Sequence, residues 1–167
     1  MSEPIPATDP RRAARLAAVQ ALYQIALTGA TPEAAITEFT GHRLSKPLEV
    51  GGTLGGDPQL FADLVRGAAE KRPELDRMIS AVLTNDWTVE RLEAVLLAVL
   101  RVGAYELSAR PDLPARVAIS EYVAIAGAFL GDRETGLVNG LLDRMARSLR
   151  PEAFEPGGRH GGGKASG

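Results

Sequence analysis

Between Ala94 and Leu107 the chain reads AVLLAVLRVGAYEL, apolar on nearly every side of a helical wheel. Such a helix has no face to give to water and belongs at the centre of a bundle, so the rest of the chain has to supply a shell around it. Its most apolar part, Ala94 to Leu100, is too short to span a bilayer and is flanked by Glu93 and Arg101. The shell is legible as amphipathic helices. One runs from about Pro10 to Leu27, with Leu16, Val19, Tyr23 and Leu27 at helical spacing and Gly29 as its stop. A short one follows from Glu33 to Glu38, with Thr31 as cap. An Asp-Pro opening recurs at Asp57 and Pro58, ahead of Leu60, Phe61, Leu64 and Val65, and Pro73 marks a break or a new start. Asn85 or Asp86 can cap the central segment, which is read as helical from Thr88. Pro111 and Pro114 mark a connection, and two further helices carry Ile119, Val123, Ala126 and Leu130, then Val138, Leu141, Leu142, Met145 and Leu149.

No segment reads as a strand, aromatics are 5%, and the expected fold is all-α. Residues 1–8 read as a flexible leader, 9–150 as one helical domain, 41–57 as a Gly-rich mobile loop, and 151–167 as a disordered Gly-rich tail. With no cysteine, thiol catalysis and cysteine-ligated metals are excluded. His42 and His160 have no ligand neighbours at metal spacing, and GGTLGGD lacks the lysine and the strand of a phosphate cradle. No cofactor and no catalytic centre are expected, nor any secretory signal or membrane span, which reads as a soluble cytoplasmic protein.

The first helix raises a question. Asp9 and Pro10 open it well, yet Arg11, Arg12 and Arg15 follow where the helix dipole disfavours cations. Either these are solvated side chains whose strain the core tolerates, or they await phosphates, which arginine grips through bidentate hydrogen bonds. Tyr23, farther along, can pack or stack on an unpaired base. With a net charge of −2, any nucleic-acid contact must be a local patch.

RRAARLAAVQALYQ resembles the opening helix of the NusB transcription antitermination factors. The likeness continues through FADLVRG, LRVGAYEL, a Pro-containing turn, VAISE and VNGLLD, in the family's order. The resemblance implies roughly seven helices in two small helical-bundle subdomains. It also implies a non-enzymatic protein that binds boxA-type single-stranded RNA of ribosomal RNA leaders. The implied partners are the ribosomal protein NusE and the RNA polymerase antitermination complex, with a homodimer as a further possibility. Carried over residue by residue, the RNA contacts fall on Arg11, Arg12, Arg15, Tyr23, Glu90 and Arg101, with Leu137 and Asn139 near the RNA. Glu90 could accept hydrogen bonds from base amino groups or simply complement the dipole in the first turn of its helix. Arg101, inside an apolar helix, needs a specific partner, either a phosphate or an internal carboxylate. Asn139 and Gly140 read as packing residues, with Gly140 permitting close helix approach. The chain departs from the family pattern in placing Leu137 where an aromatic is common, Arg133 where an acid is common and Gly136 where a base is common. Alternatives from other classes are the RNA-binding module of an RNA methyltransferase, whose catalytic parts this chain lacks, and a helical protein-interaction or self-association module without RNA.

Overall fold

The computed structural model describes residues 9–42, 56–84 and 87–154. Among them are seven α-helices and no strand: α1 (Pro10–Thr28), α2 (Pro32–His42), α3 (Pro58–Glu70), α4 (Arg72–Val82), α5 (Ala94–Ala109), α6 (Ala115–Phe129) and α7 (Asp132–Leu149). Short 3-10 turns lie at Val89–Arg91 and Pro151–Phe154. The all-α expectation holds. α5 is buried around its whole circumference, from Leu96 and Ala98 to Tyr105, Glu106 and Leu107. It packs on α1 and α3 on one side and on α4, α6 and α7 on the other. Helices α1 to α3 thus form one group and α4 to α7 a second, with α5 common to both and one continuous apolar core through them.

The local chemistry explains the helix ends. The Asp9 carboxylate accepts the Arg12 N–H at 3.2 Å, and Asp57 accepts those of Gln59 and Leu60 at 3.0 and 3.1 Å. The two Asp-Pro openings also meet, because the Asp57 N–H donates to the Pro10 carbonyl at 3.0 Å. Gly29 ends α1 in the left-handed conformation at φ 75°, which a side chain would resist. α1 buries Ala14, Ala17, Ala18 and Ala21, and these small residues let α3 and α5 approach closely. At the other end of the chain, Arg150 donates to the carbonyls of Leu107, Arg110 and Leu113. It thereby satisfies the end of α5 and the Pro111–Pro114 turn.

Several expectations are corrected. α5 begins at Ala94, not Thr88, because the Glu93 carboxylate caps it by accepting from Val95 and Leu96. Glu90 therefore sits in a separate 3-10 turn. Leu27 and Leu149 are exposed rather than core. Gly140 has open space where a Cβ would stand, and Asn139 is exposed, so the packing role expected of them is absent. The tail expected from Pro151 opens with an ordered turn in which Phe154 packs on the core under the Arg147 guanidinium. The expected caps Asn85 and Asp86, the leader, most of the 41–57 loop, the side chain of His42 and all of His160 lie outside the described residues.

The close approach in this fold is at Gly67 instead. A Cβ there would run into the Tyr105 ring, whose hydroxyl donates to Asp63 at 2.9 Å. Gly67→Ala is expected to cost about 1–3 kcal/mol by overpacking. Gly140→Ala, inside a helix and in open space, is expected to add about 0.5–1 kcal/mol. Urea denaturation of both variants checks the pair, and a neutral Gly67→Ala would refute the packing.

Candidate nucleic-acid interface

The arginine turn of α1 divides into three different environments. Arg15 is buried at 4% exposure. Its Nε and a terminal nitrogen donate to the Glu106 carboxylate at 2.7 and 3.1 Å. Glu106, with no exposure at all, also accepts the Tyr122 hydroxyl at 2.7 Å and has Arg110 at 3.6 Å. Arg12 lies a turn earlier and donates to both oxygens of Glu121 on α6, at 3.1 and 2.8 Å. Glu121 in turn stands 3.7 Å from Arg15. Arg11 is exposed and has no carboxylate partner among the described residues.

These contacts decide what each arginine can do. Arg15, of which a direct phosphate contact is expected, has its guanidinium buried and paired internally with Glu106. Burial works against its charge, but the hydrogen bonds and charge of Glu106 outweigh this and leave its pKa above the ordinary arginine value. The Glu121 hydrogen bonds raise Arg12 likewise, and its side chain keeps 29% exposure, so its outer edge faces solvent. Of the three, Arg11 is the one whose guanidinium is wholly available to a polyanion.

The remaining candidates are spread over the surface. Tyr23 is half-buried in an apolar groove of about 370 Å³ with Gln20, Gln24, Leu27, Val95 and Phe129. Arg101 resolves to an internal partner, as both Asp76 oxygens accept from it at 2.8 and 3.0 Å. Glu90 is exposed. Leu137, 40% exposed, lines a groove with Trp87, Arg133 and Arg144, while Asn139 borders a third groove between α6 and α7. Glu106, Glu121 and Tyr122, which organise these arginines, stand in no motif that singles them out in the sequence. A carboxylate in the otherwise apolar AYEL run was the one available signal.

A profile of the NusB family matches residues 12–147. The chain is 45% identical over 147 residues to the transcription antitermination protein NusB of Rhodopseudomonas palustris (strain BisB18), covering 88% of this chain and 87% of that protein. The T. maritima NusB structure superposes with a TM-score of 0.70 at 30% identity, covering 92% and 99% of the two chains. A crystal structure of antitermination factors NusB and NusE in complex with double-stranded RNA shares the fold, with a TM-score of 0.67 at 23% identity over 84% of this chain and 98% of that one. No described helix is long and apolar enough to cross a membrane.

Two consequences of the buried network can be measured. Glu106→Gln removes the bidentate counter-ion of the buried Arg15 and leaves it only Glu121 at 3.7 Å, and a loss of about 3 kcal/mol is expected in urea unfolding. The second concerns alkaline pH. Burial, then Asp63, pushes the Tyr105 hydroxyl up to about 12. Burial, then Glu106, holds Tyr122 well above the ordinary phenol value. Unfolded, both lose their protons near pH 10, roughly the model-peptide value. Above that pH the unfolded chain binds fewer protons than the folded one, so stability falls as pH rises. The expected slope is about 1.4 kcal/mol per pH unit for each tyrosine. Tyr122→Phe should flatten the slope by one tyrosine's share, and an unchanged slope would contradict the assignment.

Proposed function

Because this chain belongs to the NusB family, we propose that it is a transcription antitermination factor that binds boxA-type single-stranded RNA of ribosomal RNA leaders together with the ribosomal protein NusE, and so promotes processive transcription by RNA polymerase. The observation that carries the RNA reading is the exposed Arg11 guanidinium, without a carboxylate partner in a turn whose other two arginines are fixed by internal acids. Arg11 grips the RNA backbone, and the outer edge of Arg12 joins it. Arg15 acts as a positioning residue that sets the pitch of the turn. Tyr23 offers its ring to an unpaired base, and Glu90 accepts from exposed base amino groups. Leu137 and Asn139 border the bound strand, and Arg101 supports the scaffold through Asp76. The protein works in the cytoplasm and catalyses no reaction.

An acidic chain with so small a basic patch binds RNA weakly alone. A basic ribosomal protein beside it extends the positive surface, which is the physical case for a joint site. Support for a joint site also comes from the solved complex of NusB and NusE with double-stranded RNA, whose NusB has the same fold.

Arg11→Glu is expected to weaken binding of a labelled boxA-type RNA in the presence of NusE. It should also lower the salt slope by about one or more, the contribution of the lost phosphate contact and its reversed charge. Thermal stability should hold or rise, since a cation leaves the positive end of a helix. Fluorescence anisotropy at several salt concentrations measures the first effect and thermal melting the second. Unchanged affinity would remove the patch from the RNA site, and equal affinity with and without NusE would refute the joint site. Arg12→Glu is not an equivalent probe, because it sets a carboxylate against Glu121 and strains the fold.

A further inference from the structure

A second surface feature lies apart from the arginine turn. Trp87, the sole tryptophan of the chain, is 51% exposed at the lip of a groove of about 440 Å³. The floor is apolar, formed by Leu83, Leu92, Leu137 and Leu141, and the walls carry Arg133 and Arg144. No carboxylate lines it among the described residues. The Arg144 guanidinium donates to the Val82 carbonyl at 2.8 Å, which aims it without neutralising it, and Arg133 is exposed with no acid bound to it among the described residues. The Arg91 guanidinium lies 5.7 Å from the centre of the Trp87 ring, a cation–π contact that stiffens the indole. A half-exposed tryptophan is large apolar area left in water, and a fixed aromatic plane beside two guanidinium groups matches a flat base with its phosphate.

We propose that this groove is a nucleotide-binding site for single-stranded RNA, in which an unpaired base stacks on Trp87 while its phosphate meets Arg133 and Arg144. The inference rests on the RNA reading above and adds a stacking residue to it. Leu137 forms part of the floor but cannot itself stack a base, so the aromatic surface in this groove comes from Trp87, in the segment ahead of α5, rather than from α7.

The test uses the full chain and a labelled boxA-type single-stranded RNA, with NusE present. Trp87→Ala is expected to weaken binding by about 5- to 150-fold, the range for losing one stacked base. Trp87→Phe should recover most of it, and Arg133→Ala should lower the salt slope by about one. Because the chain has a single tryptophan, RNA added to the chain alone at low salt should quench its emission saturably. That readout decides the matter even should Trp87→Ala fold poorly. If the wild type binds RNA while its emission stays constant and Trp87→Ala binds equally well, this inference falls and the RNA reading stands. If the wild type with NusE binds no RNA, both fall. If Trp87→Ala instead weakens NusE binding without RNA, the groove is a protein contact and the inference is overturned.

Discussion

Glu106 carries a charge at a point of the molecule with no access to water, and an isolated carboxylate there would be strongly destabilising. It is tolerated because Arg15 from α1 and Tyr122 from α6 close on it from two sides, with Arg110 nearby on its own helix. Apolar packing alone would let α1 slide or rotate against α5 at modest cost. A bidentate arginine pair has a narrow range of acceptable distances and angles, so it fixes both the register and the rotation of α1. Once Arg15 is fixed, the preceding turn is fixed too. Arg12 then falls opposite Glu121, and Arg11 is turned outward.

The cluster therefore links the core to the surface. Three arginines at a helix N-terminus repel one another and the helix dipole. Two buried or half-buried carboxylates offset most of that repulsion, which leaves one cation exposed rather than three. The result is a small and sharply placed positive feature on an acidic protein. Arg12 is intermediate in this scheme. Two of its N–H groups are held by Glu121, and the rest remain free to meet a phosphate without breaking that pair. Binding of a polyanion then needs no rearrangement of the buried network, and little ordering cost is added at the moment of contact.

The sequence was most readable where one residue type has one physical fate. The all-round apolar run had to be central, and the Asp-Pro pairs had to begin helices; α5, α1 and α3 bear this out. It was least readable where a charge can be satisfied in two ways. Nothing in RRAAR distinguishes an arginine bound for phosphate from one bound for a glutamate 91 positions away, since the pairing exists only after folding. Arg101 is the same case, and in the folded chain it pairs with Asp76, 25 positions upstream. Glu90 and Glu93 show a smaller ambiguity. Both could start a helix, and the one whose carboxylate reaches the free N–H groups of Val95 and Leu96 became the cap. Glycine was ambiguous as well, because Gly67 is required by the Tyr105 ring while Gly140 faces open space.

The candidate contacts lie on separate grooves, which bears on how a single strand of RNA could meet them. The Tyr23 groove includes Val95 in the first turn of α5, and the Trp87 groove includes Leu92 just before it. The start of α5 thus runs from one groove to the other, and Glu90 stands exposed in the turn ahead of it. On the proposed reading, an extended single strand passing along the start of α5 would meet both grooves. On that reading, specificity would come from which bases can leave their own stack for the two aromatic rings.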